Sequence, residues 1–178
     1  NNGLTGAASL EQSATKNTTM IIQIGAEVGL RYRLDRHTFS FFGEYNSKTS
    51  DSDPLVNDGF VHLRYAYALT DRMCWEVFAQ AQYNEIQKIN SRLLCGTGPR
   101  FRLVNDSLFA VDVAVLSMLE YEESTVENAP VLQHWRNSSF IALSYTPLDF
   151  LRMEYVMYYQ PRYDKFEDYR ISAEAEIA

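Results

Sequence analysis

Between Asp58 and Leu103 the chain alternates apolar and polar residues through three consecutive runs. In the first, Val61, Leu63, Tyr65, Tyr67 and Leu69 point one way and His62, Arg64, Ala66 and Ala68 the other. In the second, Met73, Trp75, Val77, Ala79, Ala81 and Tyr83 oppose Glu76, Gln80, Gln82 and Asn84. In the third, Arg92, Gly96, Gly98, Arg100 and Arg102 share the polar face. A period of two means strands, because successive side chains leave a strand on opposite sides. Runs of about ten residues are long enough for tilted strands to cross a bilayer. The expected fold is all-β, an antiparallel transmembrane β-barrel.

The chain of 178 residues suits a single domain over 1–178, and 46% hydrophobic with 13% aromatic content excludes global disorder. No apolar run approaches the roughly 18 residues that a membrane helix needs. Met20–Leu30 is broken by Gln23 and Glu27, and Phe109–Leu119 by Asp112. A net charge of −7 argues against a nucleic-acid partner. An exported protein loses its signal peptide, so none is expected here. The alternation is still running at Ala178, so ten visible strands are expected to become twelve with a further hairpin. Cys74 lies on a polar face and Cys95 on an apolar one, several residues out of register, so no disulfide is expected between them.

The other strands read as Gly3–Glu11, Thr18–Arg33, His37–Asn46, Leu108–Tyr121, Leu132–Tyr145, Leu148–Tyr159 and Tyr169–Ile177. Tight turns fall near Asp35, Thr70, Asn105 and Pro147. Longer polar loops fall at Gln12–Asn17, Ser47–Asn57, Glu85–Ile89, Glu122–Pro130 and Pro161–Asp168. Short and long connections alternate, as in bacterial barrels.

All four lysines (Lys16, Lys48, Lys88 and Lys165) fall in the longer loops, whereas most arginines fall on polar strand faces. Lysine is a strongly hydrated point charge, while arginine suits partly buried carboxylate pairs. The expected interior charge network comprises Glu27, Arg31, Arg64, Glu76, Arg92, Arg100, Arg102, Asp112, Glu120, Arg136, Arg152, Glu154 and Glu176. Pairing about the turns sets Glu76 between Arg64 and Arg100, and Arg152 opposite Glu176. Tyr32, Tyr45, Trp75, Tyr83, Phe101, Tyr121, Trp135, Tyr145 and Tyr159 sit on apolar faces, mostly toward strand ends, where interfacial girdles want amphipathic rings. A soluble barrel with its apolar faces inward explains the alternation equally well. It does not explain the absence of lysine from the supposedly wet faces.

The stretch DGFVHLRYAYALTDRMCWEVFAQAQYN, then INSRLLCGTGPRFRL, then MLEYEE ending at Glu123, resembles a family of Gram-negative outer-membrane proteins of unknown function. That family is often labelled "salt-induced outer membrane protein". The resemblance covers about a third of the chain, with Cys95 and Pro99 as departures. It implies an outer-membrane barrel with a cleaved signal peptide and supplies no mechanism. A C-terminal strand ending in an aromatic, usual in such barrels, is absent before Ala178.

Motifs for chemistry are sparse. Gly96-Thr97-Gly98 lacks the lysine and helix of a phosphate loop, so its glycines are expected to bend a strand or make room for Arg100. Asp51, Asp53 and Asp58 lack the spacing of a calcium loop, and Glu122, Glu123 and Glu127 read as a solvated outer loop. His37, His62 and His134 have no partner at metal spacing, and nothing selects His134 with Ser138 or Ser144 as a hydrolase pair. Asn17-Thr18-Thr19 and Asn137-Ser138-Ser139 fit the glycosylation pattern, which carries little meaning in a bacterium. No enzyme activity, metal or cofactor is expected. The expected role is structural or interactive, in the bacterial outer membrane, with lipid, lipopolysaccharide or an envelope protein as partner. The alternatives are a narrow, weakly selective channel and, behind it, a barrel-embedded hydrolase.

Overall fold

The computed structural model describes residues 2–16, 19–51, 53–148 and 150–177. Ten strands form one sheet in the order β1-β2-β3-β4-β5-β6-β7-β8-β9-β10. They are β1 (Gly3–Lys16), β2 (Met20–Leu34), β3 (His37–Ser50), β4 (Asp53–Ala68), β5 (Met73–Asn84), β6 (Ile89–Asn105), β7 (Phe109–Ser124), β8 (Leu132–Leu148), β9 (Leu151–Pro161) and β10 (Tyr169–Ile177). Every sequence neighbour is a spatial neighbour, the simplest outcome for strands joined by hairpins. Among the described residues nothing pairs β1 with β10, so the order is that of an open sheet.

Two expected loops are largely strand. Pairing of β1 with β2 continues to Lys16↔Met20, and pairing of β2 with β3 to Ile21↔Ser50. The start of a strand at Thr18 lies outside the described residues. Ladder hydrogen bonds belong to the backbone, so Ser, Thr and Lys extend a hairpin as readily as apolar residues do. At the β3–β4 connection Asp51 takes φ 45, its N–H donates to Met20 O at 3.0 Å, and its carboxylate accepts from Met20 N at 2.8 Å. The loop-length alternation is correspondingly weaker than the composition suggests. The turn expected at Thr146–Pro147 is also displaced. Both residues belong to β8, where a register shift between Tyr145 and Leu148 absorbs a proline that cannot donate to the ladder.

Contacts group the chain into two compact units. The first comprises Asn1–Tyr65, Phe78–Cys95 and Glu120–Gln133, and buries Phe78, Ile89, Leu94 and Glu120. The second comprises Ala66–Val77, Gly96–Leu119 and His134–Ala178, and buries Ala66, Ala114, Leu116, Met118 and Phe140 with Glu76, Arg136 and Ser138.

The two faces of the sheet differ in an unusual sense. On β5, Trp75 and Val77 are 43% and 47% exposed, while Glu76 is fully buried and Phe78 nearly so. On β7, Val115 is 49% exposed, while Ala114 and Met118 are fully buried. On β8, Trp135 is exposed and Arg136 buried. A soluble barrel has the opposite sense, with its apolar residues inside. The buried face is not purely polar either. Phe78 and Leu94, and separately Ala114, Leu116, Met118 and Phe140, interrupt its charges with close-packed apolar side chains.

Candidate functional site

The buried face carries the chain's ionisable groups in strand register. Within the second unit, Arg100 on β6 reaches Glu76 on β5, Nη1 to Oε1, at 2.8 Å. Its Nε lies 3.9 Å from Asp112 on β7. Arg102 grips the same carboxylate with two bonds, Nε to Oδ1 at 2.9 Å and Nη2 to Oδ2 at 3.2 Å. Carboxylate and guanidinium thus alternate as Glu76, Arg100, Asp112 and Arg102, a geometry that the planar guanidinium fork favours. Thr97 donates from its hydroxyl to the Glu76 carbonyl at 2.8 Å and accepts from Trp75 Nε1 at 2.7 Å. That pair ties the exposed face to the same rung. Within the first unit, Arg92 on β6 holds Glu120 at 2.6 Å and stands 3.5 Å from Glu122, a residue expected in a loop but carried on β7. Arg64 donates to His62 at 3.4 Å.

Other members of the expected network are not brought into the pairs expected of them. Glu27 stands directly across from Glu44, and among the described residues neither Glu27 nor Arg31 enters an ion pair. Glu176 pairs with Glu154 rather than with Arg152. The last hairpin is offset by two residues from the expected register because β9 runs on to Pro161, which pairs with Tyr169. Arg152 instead bridges Glu154 on its own strand at 2.5 Å, with both side chains largely exposed.

Arg136 finds its partner in the β9–β10 connection. This nearly fully buried guanidinium donates to Asp168 Oδ1 at 3.0 Å and to the carbonyls of Gln160 and Asp168 at 3.2 and 3.3 Å. Arg162 bonds Asp164 and the second oxygen of Asp168. Tyr163 N–H donates to Trp135 O at 3.0 Å, prolonging the β8–β9 ladder beyond Pro161. From sequence this segment is expected only to be a charged loop. Its one signal was the pair of arginines flanking aspartates, Arg162 and Asp164 foremost.

Hydrogen bonds from Arg162 hold the Asp164 carboxyl below its ordinary range. For Asp168, burial acts to raise the carboxyl, and the hydrogen bonds from Arg136 and Arg162 overcome it, so its value is lowered too. A lowered folded value means the stabilisation is complete above the ordinary carboxylate value of about 3.9 and is lost as pH falls through the lower folded value. The β9–β10 connection is therefore expected to stay closed from neutral pH to about pH 4 and to loosen only below it. Fluorescence of Trp135, isolated in a Trp75→Phe variant, reports this. A transition near pH 6 would contradict it.

The remaining candidates are separate. Both cysteines are free, and Cys95 is exposed on the outward face of β6. The Asp53 side chain lies outside the described residues. Among those described, no group of three or more His, Cys, Asp or Glu is placed to hold a metal ion. Ser138 is buried and accepts from Gln160 Nε2 at 3.1 Å, and among the described residues His134 makes no hydrogen bond to it or to Ser144.

A protein-family model described as "Protein of unknown function, DUF481" matches residues 7–177. The chain belongs to this family. Nearly the whole DUF481 chain is matched, so the family extends over every strand and well past the central stretch where the resemblance was carried. No curated protein matches the DUF481 chain.

Proposed function

We propose that this chain is an integral outer-membrane β-barrel whose role is structural or interactive, with the charged face turned inward. One observation carries the reading: on β5, β7 and β8 the apolar side is exposed while Glu76, Glu120 and Arg136 are buried. Between Trp75 and Tyr83 the exposed face of β5 holds Val77, Ala79 and Ala81. Between Phe109 and Tyr121 the same face of β7 holds Val111, Val113, Val115, Ser117 and Leu119. No charge interrupts either run, and the rings at the ends suit the two interfacial girdles. A lone sheet buries one face without a second layer only by curling on itself. Side chains as fully buried as Leu116, Met118 and Glu76 leave little room for a solute beside them, which favours a plugged interior. The resemblance of the central stretch to outer-membrane proteins labelled salt-induced agrees with this reading without supplying an activity. A narrow channel is the alternative that the recordings below separate from it.

Val115→Arg tests the placement. In a bilayer, an arginine on the lipid face near the midplane is expected to cost about 2–4 kcal/mol. At the same half-exposed position in water it is expected to fall within about 0.5 kcal/mol. Urea unfolding in lipid vesicles measures the difference, and a negligible effect there would sink the membrane reading. Planar-bilayer recordings of inserted protein then separate plug from channel: silence supports the plug, and discrete steps support the channel.

A further inference from the structure

We infer that His62 is a protonation switch in a directed hydrogen-bond row on β4 and β5. Four side chains form the row, all within the first unit. Arg64 Nε donates to His62 Nε2 at 3.4 Å. An arginine Nε–H can only donate, so Nε2 must be bare and the ring proton sits on Nδ1. Nδ1 lies 3.0 Å from Gln80 Oε1, which accepts it. The Gln80 amide is oriented in keeping with this, its Nε2 donating to Gln82 Oε1 at 2.7 Å. The Arg64 link thus requires the Nδ1–H tautomer of His62, and the Gln80 link agrees with it. The ring is also held flat against Phe78, with centroids 5.7 Å apart and planes at 15°.

Protonation breaks one link and keeps the other. With both nitrogens carrying hydrogen, Nδ1 still donates to Gln80, whereas Nε2 can no longer accept from Arg64 and two cations stand side by side. The neighbours set how far this is offset. On that face β4 itself presents Asp58 and Arg64, β3 presents Glu44 and Lys48, and β5 presents Phe78, Gln80 and Gln82, with Glu76 further along the strand. Glu44 and Asp58 both accept from Asn46 Nδ2, at 2.6 and 3.3 Å, and among the described residues neither bonds to His62. The row is therefore locked at neutral pH and released at the Arg64 end by acid. This holds whether or not the exposed face meets lipid, so it can fail independently of the membrane reading.

Imidazole nitrogen NMR on the full chain in micelles tests the tautomer, with His37→Gln and His134→Gln assigning the three ring systems. The expected result is Nδ1–H on His62 at neutral pH; an Nε2–H tautomer overturns the inference. Hydrogen exchange then tests the release. Well below the ordinary histidine value of about 6.5, amides of 60–64 and 78–82 are expected to exchange about fivefold faster than in His62→Phe at the same pH, the equivalent of one lost hydrogen bond. At neutral pH, where the row is intact, the two strands are expected to exchange no faster than in that variant. Equal exchange at both pH values would overturn the switch. His62→Gln, which keeps a hydrogen-bonding side chain without titrating, serves in place of His62→Phe if the latter does not fold.

Discussion

Gly98→Ala is expected to cost more than about 3 kcal/mol, beyond the usual range for an overpacked site. A Cβ at Gly98 would lie 2.2 Å from the Val115 carbonyl oxygen and 2.7 Å from the Leu116 Cα. Both atoms belong to the backbone of β7, so no rotamer change relieves the clash. The strand would have to move, taking ladder hydrogen bonds and the packing of fully buried Leu116 with it. Gly29→Ala is the control. Its Cβ would meet only the Phe42 ring at 3.7 Å, an ordinary contact. There alanine is expected to stay within about 1 kcal/mol, since it also reduces the freedom of the unfolded chain. Urea unfolding of the two variants in one lipid system makes the comparison. Equal stabilities would mean that β6 and β7 do not approach as closely as this geometry requires.

The Gly98 contact marks where sequence reading stops. Gly96-Thr97-Gly98 can be set aside as a phosphate loop from sequence alone, and a structural role for its glycines follows. Which backbone approaches, and how closely, depends on the pairing partner, which alternation does not specify. The strand count and the ranges of β5 and β10 were legible because Met73–Asn84 and Tyr169–Ile177 alternate cleanly and end at polar or charged turns. The Glu76–Arg100 rung was legible because β5 and β6 both alternate cleanly up to the one connection that joins them, which fixes their register. The Arg152–Glu176 pairing failed for the converse reason. Nothing in Pro161–Asp168 reveals that pairing continues through Pro161 and Tyr163, and two extra residues moved Glu176 onto Glu154. The buried apolar cluster was also hidden. Leu116 and Met118 share a period-two face with Asp112 and Glu120, and a face counted as polar for its charges can still be packed as a core.

That mixture of charge and tight packing makes Glu76 the most sensitive ionisable position. Its side chain is fully buried, whereas Arg100 is 28% exposed. Glu76→Ala removes the carboxylate, opens a void and strips the guanidinium of its 2.8 Å partner, leaving the Asp112 oxygen at 3.9 Å. Breaking a buried pair on one side typically costs about 3–5 kcal/mol, and the partial exposure of Arg100 puts the expected loss near the lower end, about 3 kcal/mol. Glu76→Gln keeps the shape and an acceptor, so its expected loss is about half as large. Replacing both partners, Glu76→Met with Arg100→Leu, is expected to recover most of the stability, because neither charge is then left without its counterpart. Asp112 keeps its two-pronged bond to Arg102 in the double variant. Glu154→Ala sets the scale for an exposed pair. Arg152 and Glu154 are 60% and 41% exposed, so that change should cost no more than about 1 kcal/mol. Glu76→Ala as mild as Glu154→Ala would show that water screens the rung. A double variant no better than the single one would show that Glu76 stabilises the chain through something other than Arg100.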